Sequence, residues 1–472
     1  MKDRIDLTEG KITEKLIKLS LPIMGTSFIQ MGYNMIDMIW VGKAGSSAMA
    51  AVGTAGFYPW LAMAFIMISK VGGEVKVAQS IGESNINTTR SYIKAAIELN
   101  IILAILYTMV ILVFNKGLIG LFNLGDENVI LMSRQYLVIV GIGMIFYFIN
   151  PVFTAIFNGM GNSKMPFRIN TIGLVTNIIL DPILIFGLGP IPKMGVTGAA
   201  IATVFSQMVV SFCFLIIIIR SKENYFKIKT FRNIEFENYK ILYKLGLPVA
   251  LQSGMFTIFS MAIGVIVASW GPVAVAVQKV GSQIEAISWM SADGLAVALG
   301  SFVGQNYGAK KYDRIKKGCK IAIIVASIWG ILTTLVLVFA GRGIFSIFLS
   351  EAEAIEKGSM YLKILGYSQW FMCIEIITSA AFKGLGRTYI PSILSIILTG
   401  ARIPLAYVLS NPLILGLNGI WWSITISSIF KGLLMLSIFM WLMKIGKLYK
   451  VHEIDSDKKI KNSEIDIDLD LI

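Results

Sequence analysis

The chain has 472 residues, 56% of them hydrophobic and only 15% charged, with a mean hydropathy of +0.73 and a formal net charge of +14. Soluble proteins use ~45–50% apolar residues, so this composition excludes an ordinary soluble enzyme and predicts a membrane protein. Three cysteines at no metal-ligand spacing exclude a disulfide framework, and the one histidine, His452 in the tail, excludes histidine-based metal or triad chemistry in the membrane.

The opening segment, MKDRIDLTEGKITEKLIKLSLP, has no short apolar run followed by a small-residue cleavage site, so it reads as an amphipathic lead-in rather than a signal peptide. Apolar stretches near the ~18–20 residues that cross a bilayer then predict twelve helices. They fall near 16–40, 53–77, 95–115, 131–157, 168–188, 196–219, 245–268, 278–303, 319–340, 359–382, 389–409 and 418–442. The expected division is a first six-helix lobe over 1–219, a basic inter-lobe loop over 220–244, a second lobe over 245–442 and a polar tail over 443–472. Most of the 42 basic residues lie in the N-terminal segment, in alternate loops and after residue 443. The positive-inside rule therefore places both termini in the cytoplasm of a multi-pass plasma (inner) membrane protein. Their dispersal argues against nucleic-acid binding.

The two halves repeat each other. LSLP at Leu19–Pro22 returns as LGLP at Leu245–Pro248, and Gln79 and Gly82 return as Gln305 and Gly308, all at an offset of 226. YLVIVG answers YLKILG, and FNGMGNSKMP answers FKGLGRTYIP, at 225. Ordered matches at a nearly constant offset mean a duplicated unit. Six spans per half enter the membrane in the same direction, the plan of a transporter whose halves face each other across a cleft. The predicted fold class is an all-α membrane protein of twelve transmembrane helices in two pseudo-symmetric lobes.

Carboxylates at membrane depth cost roughly 2.5–3.5 kcal/mol on insertion scales and face a cavity or a partner. Gln30, Asn34 and Asp37 share one face of the first span, with Tyr33 beside them, and Gln30, Tyr33 and Asn34 are candidates for lining the substrate cavity; Asn177 and Asp181 are one turn apart in the fifth. Pro182 follows directly and is expected to bend that helix. Two acids and a carboxamide on neighbouring helices suit Na⁺ or H⁺, because paired carboxylates hold a charge that either cation neutralises. The second half does not reproduce these acids, having Ile263 and Ala406 at the corresponding positions. It carries instead Gln278, Glu285, Trp289 and Asp293 in the eighth span and Glu375 in the tenth, candidates for holding cationic substrate. In the second span Lys70 and Glu74, four apart with Lys76 following, read as a neutralising ion pair with a structural or gating role. Arg402 and Lys431 are expected to pair with acids or to snorkel. Abundant Met and aromatic side chains suit flat lipophilic cations.

NMIDMIWVG, LDPILIFGLG, GAAIATVFSQ and FVGQNYGA, in this order and spacing, resemble the prokaryotic branch of the multidrug and toxic compound extrusion (MATE) family over about residues 12–445. The resemblance implies a monomeric, non-enzymatic antiporter embedded in membrane lipids, with two lobes forming a V. It exports amphipathic, mostly cationic compounds against Na⁺ or H⁺ and uses no cofactor. It places the cation site on Asp37, Asn177, Asp181 and Thr203, with Thr197 as the alternative threonine. The alternatives are a lipid-precursor flippase of the related superfamily, which expects a basic cavity, and a membrane channel.

Overall fold

The computed structural model describes residues 4–221, 223–228, 235–348, 351–446 and 448. Residues 449–472 of the polar tail, including His452, and part of the inter-lobe loop lie outside the described residues.

The first half forms α1 (Ile12–Ala44), α2 (Ser46–Gly82), α3 (Ile86–Gly120), α4 (Glu127–Ile142), α5 (Met144–Gly159), α6 (Lys164–Phe186) and α7 (Val196–Arg220). The second forms α8 (Phe236–Ala268), α9 (Pro272–Gly308), α10 (Tyr312–Phe348), α11 (Ala352–Gly366), α12 (Gln369–Gly384), α13 (Tyr389–Gly400), α14 (Arg402–Leu409) and α15 (Leu417–Lys444). Three crossings are interrupted, so fifteen helices make twelve traverses. Among the described residues, nine helical stretches are long and apolar enough to span, and the α4–α5 pair, bent by 51°, makes a tenth. The remaining two are α1, whose middle carries Gln30, Tyr33, Asn34 and Asp37, and the α11–α12 pair.

Most helices overrun the apolar windows by one or two turns, because polar residues continue them into the interface. Asn85 starts α3 by accepting the Thr88 amide, and Asp126 starts α4 by accepting those of Asn128 and Val129. The bends fall where the repeat predicts no proline. The fourth crossing breaks at Gly143 and the tenth between Gly366 and Gln369, close to the matched glycines Gly141 and Gly366. Pro182, by contrast, lies inside an α6 that runs unbroken to Phe186. The first lobe packs around Phe148, Phe153, Phe157 and Phe214, and the second around Phe302, Phe382 and Phe439 and around Tyr361 and Trp421. In a bilayer this packing rests on dispersion and close approach rather than on expulsion of water.

The lobes join through α2 against α8 and α9, and through α1 against α9. Their described hydrogen bonds all lie towards the end of the bundle that carries residues 4–11. Gln79 Nε2 donates to the Gly384 carbonyl at 3.0 Å, and Gln305 Nε2 donates to that of Gly159 at 2.8 Å. Both partners in one bond are the repeat mates of those in the other. A Cβ on Gly82 would meet the Gln305 carbonyl oxygen at 1.9 Å, and one on Gly308 would meet that of Gln79 at 1.9 Å. Only glycine permits this backbone approach. The result is a reciprocal clamp that closes the terminus-bearing end, with no described hydrogen bond joining the lobes at the opposite end.

Candidate cation site

Three helices of the first lobe converge on one polar cluster. Tyr33 and Asp37 come from α1, Asn177 and Asp181 from α6, and Thr203 from α7. Asn177 and Asp181 are wholly buried, and their four-residue spacing lets Asn177 Nδ2 donate to Asp181 Oδ1 at 3.0 Å. The other oxygens are unsatisfied: Tyr33 Oη, Asp37 Oδ1, Asn177 Oδ1, Asp181 Oδ2 and Thr203 Oγ1 are all buried without a hydrogen-bond partner. Asp37 acts electrostatically on Asp181, and both act on the hydroxyls of Tyr33 and Tyr136, beside which Thr203 stands. Neither carboxylate forms an ion pair among the described residues. A buried polar atom left unpaired costs about 1–3 kcal/mol. Five such oxygens in one cluster fit a cation that accepts oxygen ligands, or protons shared between the acids. Thr197, the alternative threonine, is half-buried, and its hydroxyl already donates to the Met194 carbonyl at the start of α7. Gln30 and Asn34 are exposed on α1 and make no described hydrogen bond to this cluster.

The second-lobe candidates are differently placed. Gln278 Oε1 accepts from Trp421 Nε1 at 2.9 Å, and Glu285 Oε1 accepts from Gln369 Nε2 at 3.1 Å. Arg402 is the base within electrostatic range of Glu285. Trp289 and Asp293 are exposed. Glu375 is buried and fully partnered: Lys431 Nζ lies 3.1 Å from Oε2, and Ser395 Oγ donates to Oε1 at 3.0 Å. Arg402 donates to the hydroxyls of Ser427 and Ser428 and adds its charge near Glu375. Gln278, Glu285, Glu375 and Arg402 are thus engaged by partners of their own lobe, while Trp289 and Asp293 are exposed.

The expected Lys70–Glu74 ion pair does not form. The two side chains do not come within salt-bridge distance of each other. Glu74 keeps Lys70 within electrostatic range and also faces the lobe boundary, where Ser301 Oγ donates to it at 3.5 Å and where Asp293 and Lys383 of the second lobe lie within range. Lys70, Glu74, Asp293 and Lys383 thus form a charge cluster across the lobe boundary rather than an isolated pair on one helix. Lys76 donates to Gln79 Oε1 at 3.2 Å, which turns the Gln79 amide nitrogen towards Gly384. Sequence reasoning missed the function of Gln79, Gln305 and Tyr136. Their signal was present as polar residues reproduced in both halves, since Tyr136 answers Tyr361 at the repeat offset.

A duplicated twelve-helix bundle, closed at one end and holding unpaired acids in one lobe, defines a membrane transporter. The MatE family profile matches residues 22–183 and 248–408, two copies beginning at the repeated prolines Pro22 and Pro248. The chain belongs to this family, the multidrug and toxic compound extrusion transporters. It is 27% identical over 431 residues to the probable multidrug resistance protein NorM of Thermotoga maritima, covering 91% of this chain and 92% of that protein. A MOP superfamily transporter from Pyrococcus furiosus, described as having a binding pocket of reversed polarity, matches with a TM-score of 0.85 and 25% identity over 94% of this chain and 98% of that one. An outward-facing multidrug resistance MATE family transporter matches in fold with a TM-score of 0.86 and 24% identity over 94% of this chain and 98% of that one.

Proposed function

We propose that the protein is a cation-coupled antiporter that exports amphipathic, mostly cationic organic compounds in exchange for Na⁺ or H⁺. The observation that carries this reading is the set of five unpartnered buried oxygens around Asp37 and Asp181, with no basic residue paired to either acid. The site lacks a positive charge that the chain itself does not supply. The coupling ion is the missing cation, and Asp37, Asn177, Asp181 and Thr203 are its ligands or proton carriers. The naming of the Thermotoga maritima relative as a multidrug resistance protein supports the substrate class.

The lobes rock about the clamp at the terminus-bearing end, which the distribution of Lys and Arg places in the cytoplasm. The closed clamp corresponds to a state open to the outside. In that state the ion enters the first lobe, satisfies the free oxygens and draws α1 towards α6, weakening the hold on substrate. Coupling follows because each ligand binds the two states unequally. A flippase for pyrophosphate-linked lipids would need a basic cavity, whereas Lys70 and Lys383 at the lobe boundary are matched by Glu74 and Asp293.

Efflux of a fluorescent organic cation from reconstituted vesicles, under separately imposed Na⁺ and pH gradients, tests the reading. One of the two gradients is expected to drive saturable exchange. Ion flux without exchange, or transport indifferent to both gradients, would overturn it.

A further inference from the structure

At the terminus-bearing end, a crevice of about 640 Å³ opens between the start of α1 and the first turns of α10. It lies away from the cation site and from the clamp. One wall comes from the first lobe, with Lys11, Ile12 and Ile17, and the other from the second, with Lys317, Lys320 and Ile321. Lys317, Lys320 and Ile321 stand at i, i+3 and i+4, so one face of α10 presents two ammonium groups above an apolar side chain.

Three features point to what fills this crevice. The first is charge. Lys11, Lys317 and Lys320 are exposed and have neither an ion pair nor a hydrogen bond among the described residues. The neighbouring charges are already engaged: Glu14, which also lines the crevice, pairs with Lys18 at 2.6 Å, and Lys316 lies 3.6 Å from Asp313. Lys11 lies within electrostatic range of Glu14, but that carboxylate is held by Lys18, so among the described residues no acid pairs directly with any of the three lysines. The second is the apolar floor, where Ile17 is 45% exposed beside Ile12 and Ile321. The third is depth. The crevice sits at the ends of two membrane-crossing helices, where phospholipid headgroups meet acyl chains. Basic pockets between helices at this level attract anionic headgroups, at about 1 kcal/mol per lysine.

We propose that this crevice is a binding site for an anionic phospholipid, whose phosphate lies among Lys11, Lys317 and Lys320 and whose upper acyl carbons lie on the three isoleucines. Because each lobe supplies one wall, the lipid bridges the lobes and favours the conformation closed at this end. Beside the crevice Arg314 already ties the lobes together, donating to the carbonyls of Leu7, Glu9 and Gly10. The site goes beyond the transport reading, and its occupancy does not depend on which ion or drug the protein carries.

The test is a titration of the full-length protein in detergent micelles with fluorescently labelled phosphatidylglycerol. Unlabelled phosphatidylglycerol is expected to displace the probe, while phosphatidylcholine of the same chain length and glycerol 3-phosphate are not. The variant Lys11→Gln/Lys317→Gln/Lys320→Gln should bind on the order of a hundredfold more weakly, given the per-lysine contribution. Lys240→Gln, at an exposed base of the same end outside the crevice, should bind as the parent does. Size-exclusion profiles confirm that the variants are folded. Unchanged binding by the triple variant, or equal displacement by phosphatidylcholine, would overturn the site. Displacement by glycerol 3-phosphate would overturn the lipid assignment and mark a free-phosphate site. Transport under ion gradients is read separately, so either conclusion can fail without the other.

Discussion

The two lobes share a scaffold and divide their electrostatics in opposite ways. In the second lobe a buried acid comes with its cation built in, Glu375 against Lys431 at 3.1 Å with Arg402 nearby. In the first lobe two acids come with none, and five oxygens around them lack any partner. The repeat makes the contrast sharper. Asn150 answers Glu375, and both tie their crossing to the last helix of their own lobe. Asn150 does so by neutral bonds, donating to Gln207 and accepting from Ser211, whereas Glu375 uses a charge pair. Duplication therefore preserved where helices touch while the charge inventory diverged. The second lobe supplies its own cation to the buried Glu375, and the first leaves Asp37 and Asp181 to be completed from outside.

The most direct way to break this comparison is Asp37→Asn. Loss of at least a hundredfold in ion-driven efflux is expected with protein levels unchanged, measured as drug accumulation in an efflux-deficient host. Because the acid has no partner in the resting protein, thermal unfolding in detergent should not fall. Full transport by this variant would remove the first lobe from the coupling mechanism.

The mirror experiment is Lys431→Met. It leaves Glu375 buried beside an apolar side chain, and losing one partner of a buried pair costs about 3–5 kcal/mol. A clear drop in the thermal midpoint is expected, with much of it regained in Lys431→Met/Glu375→Leu. No drop in the single variant would mean that Lys431 does not complete Glu375 in the sense argued above.

The clamp offers a smaller effect and a test of symmetry. Gln79→Leu and Gln305→Leu each remove one of the two reciprocal cross-lobe hydrogen bonds, worth about 1 kcal/mol net, together with one further bond to Lys76 or to the Leu7 amide. Both should raise reagent accessibility at the closed end several-fold, read by cysteine labelling at a position buried there. A large difference between them would show that Lys76, which orients only Gln79, or the Leu7 amide, which bonds only Gln305 at 3.3 Å, dominates the closure.

Much of this was legible in the chain and part of it was not, for physical reasons. Twelve crossings and the duplication are written in apolar runs and in Leu, Pro, Gly and Gln residues at fixed offsets, because membrane helices must satisfy their own backbone. The acids Asp37 and Asp181 stood out because charge at depth is rare and costly. The Lys70–Glu74 pair misled because spacing along one helix says nothing of what the opposite lobe brings to the boundary, here Asp293 and Lys383. Pro182 lies inside an unbroken α6, while the fourth and tenth crossings are interrupted at or next to Gly143 and Gly366. Glu285 could be seen as an ionisable group, but its partner Gln369 lies 84 residues away and no local pattern announces it.

The finest distinction within the first lobe concerns the threonine. Thr203 Oγ1 is buried without a partner beside Tyr33 and Tyr136, while the Thr197 hydroxyl already donates to Met194 at 2.7 Å. A hydroxyl that ligates the coupling ion contributes one neutral oxygen among charged ones, so its removal weakens the ion without abolishing it. Thr203→Ala should raise the ion concentration for half-maximal exchange about three- to tenfold, the size of one net hydrogen bond. Drug affinity measured without the ion should stay the same. Thr197→Ala should leave both unchanged, because its hydroxyl serves only the turn that begins α7. If Thr203→Ala weakens drug binding and spares ion dependence, that hydroxyl belongs to the substrate side of the cavity, and the completion of the first lobe rests on Asp37, Asn177 and Asp181 alone.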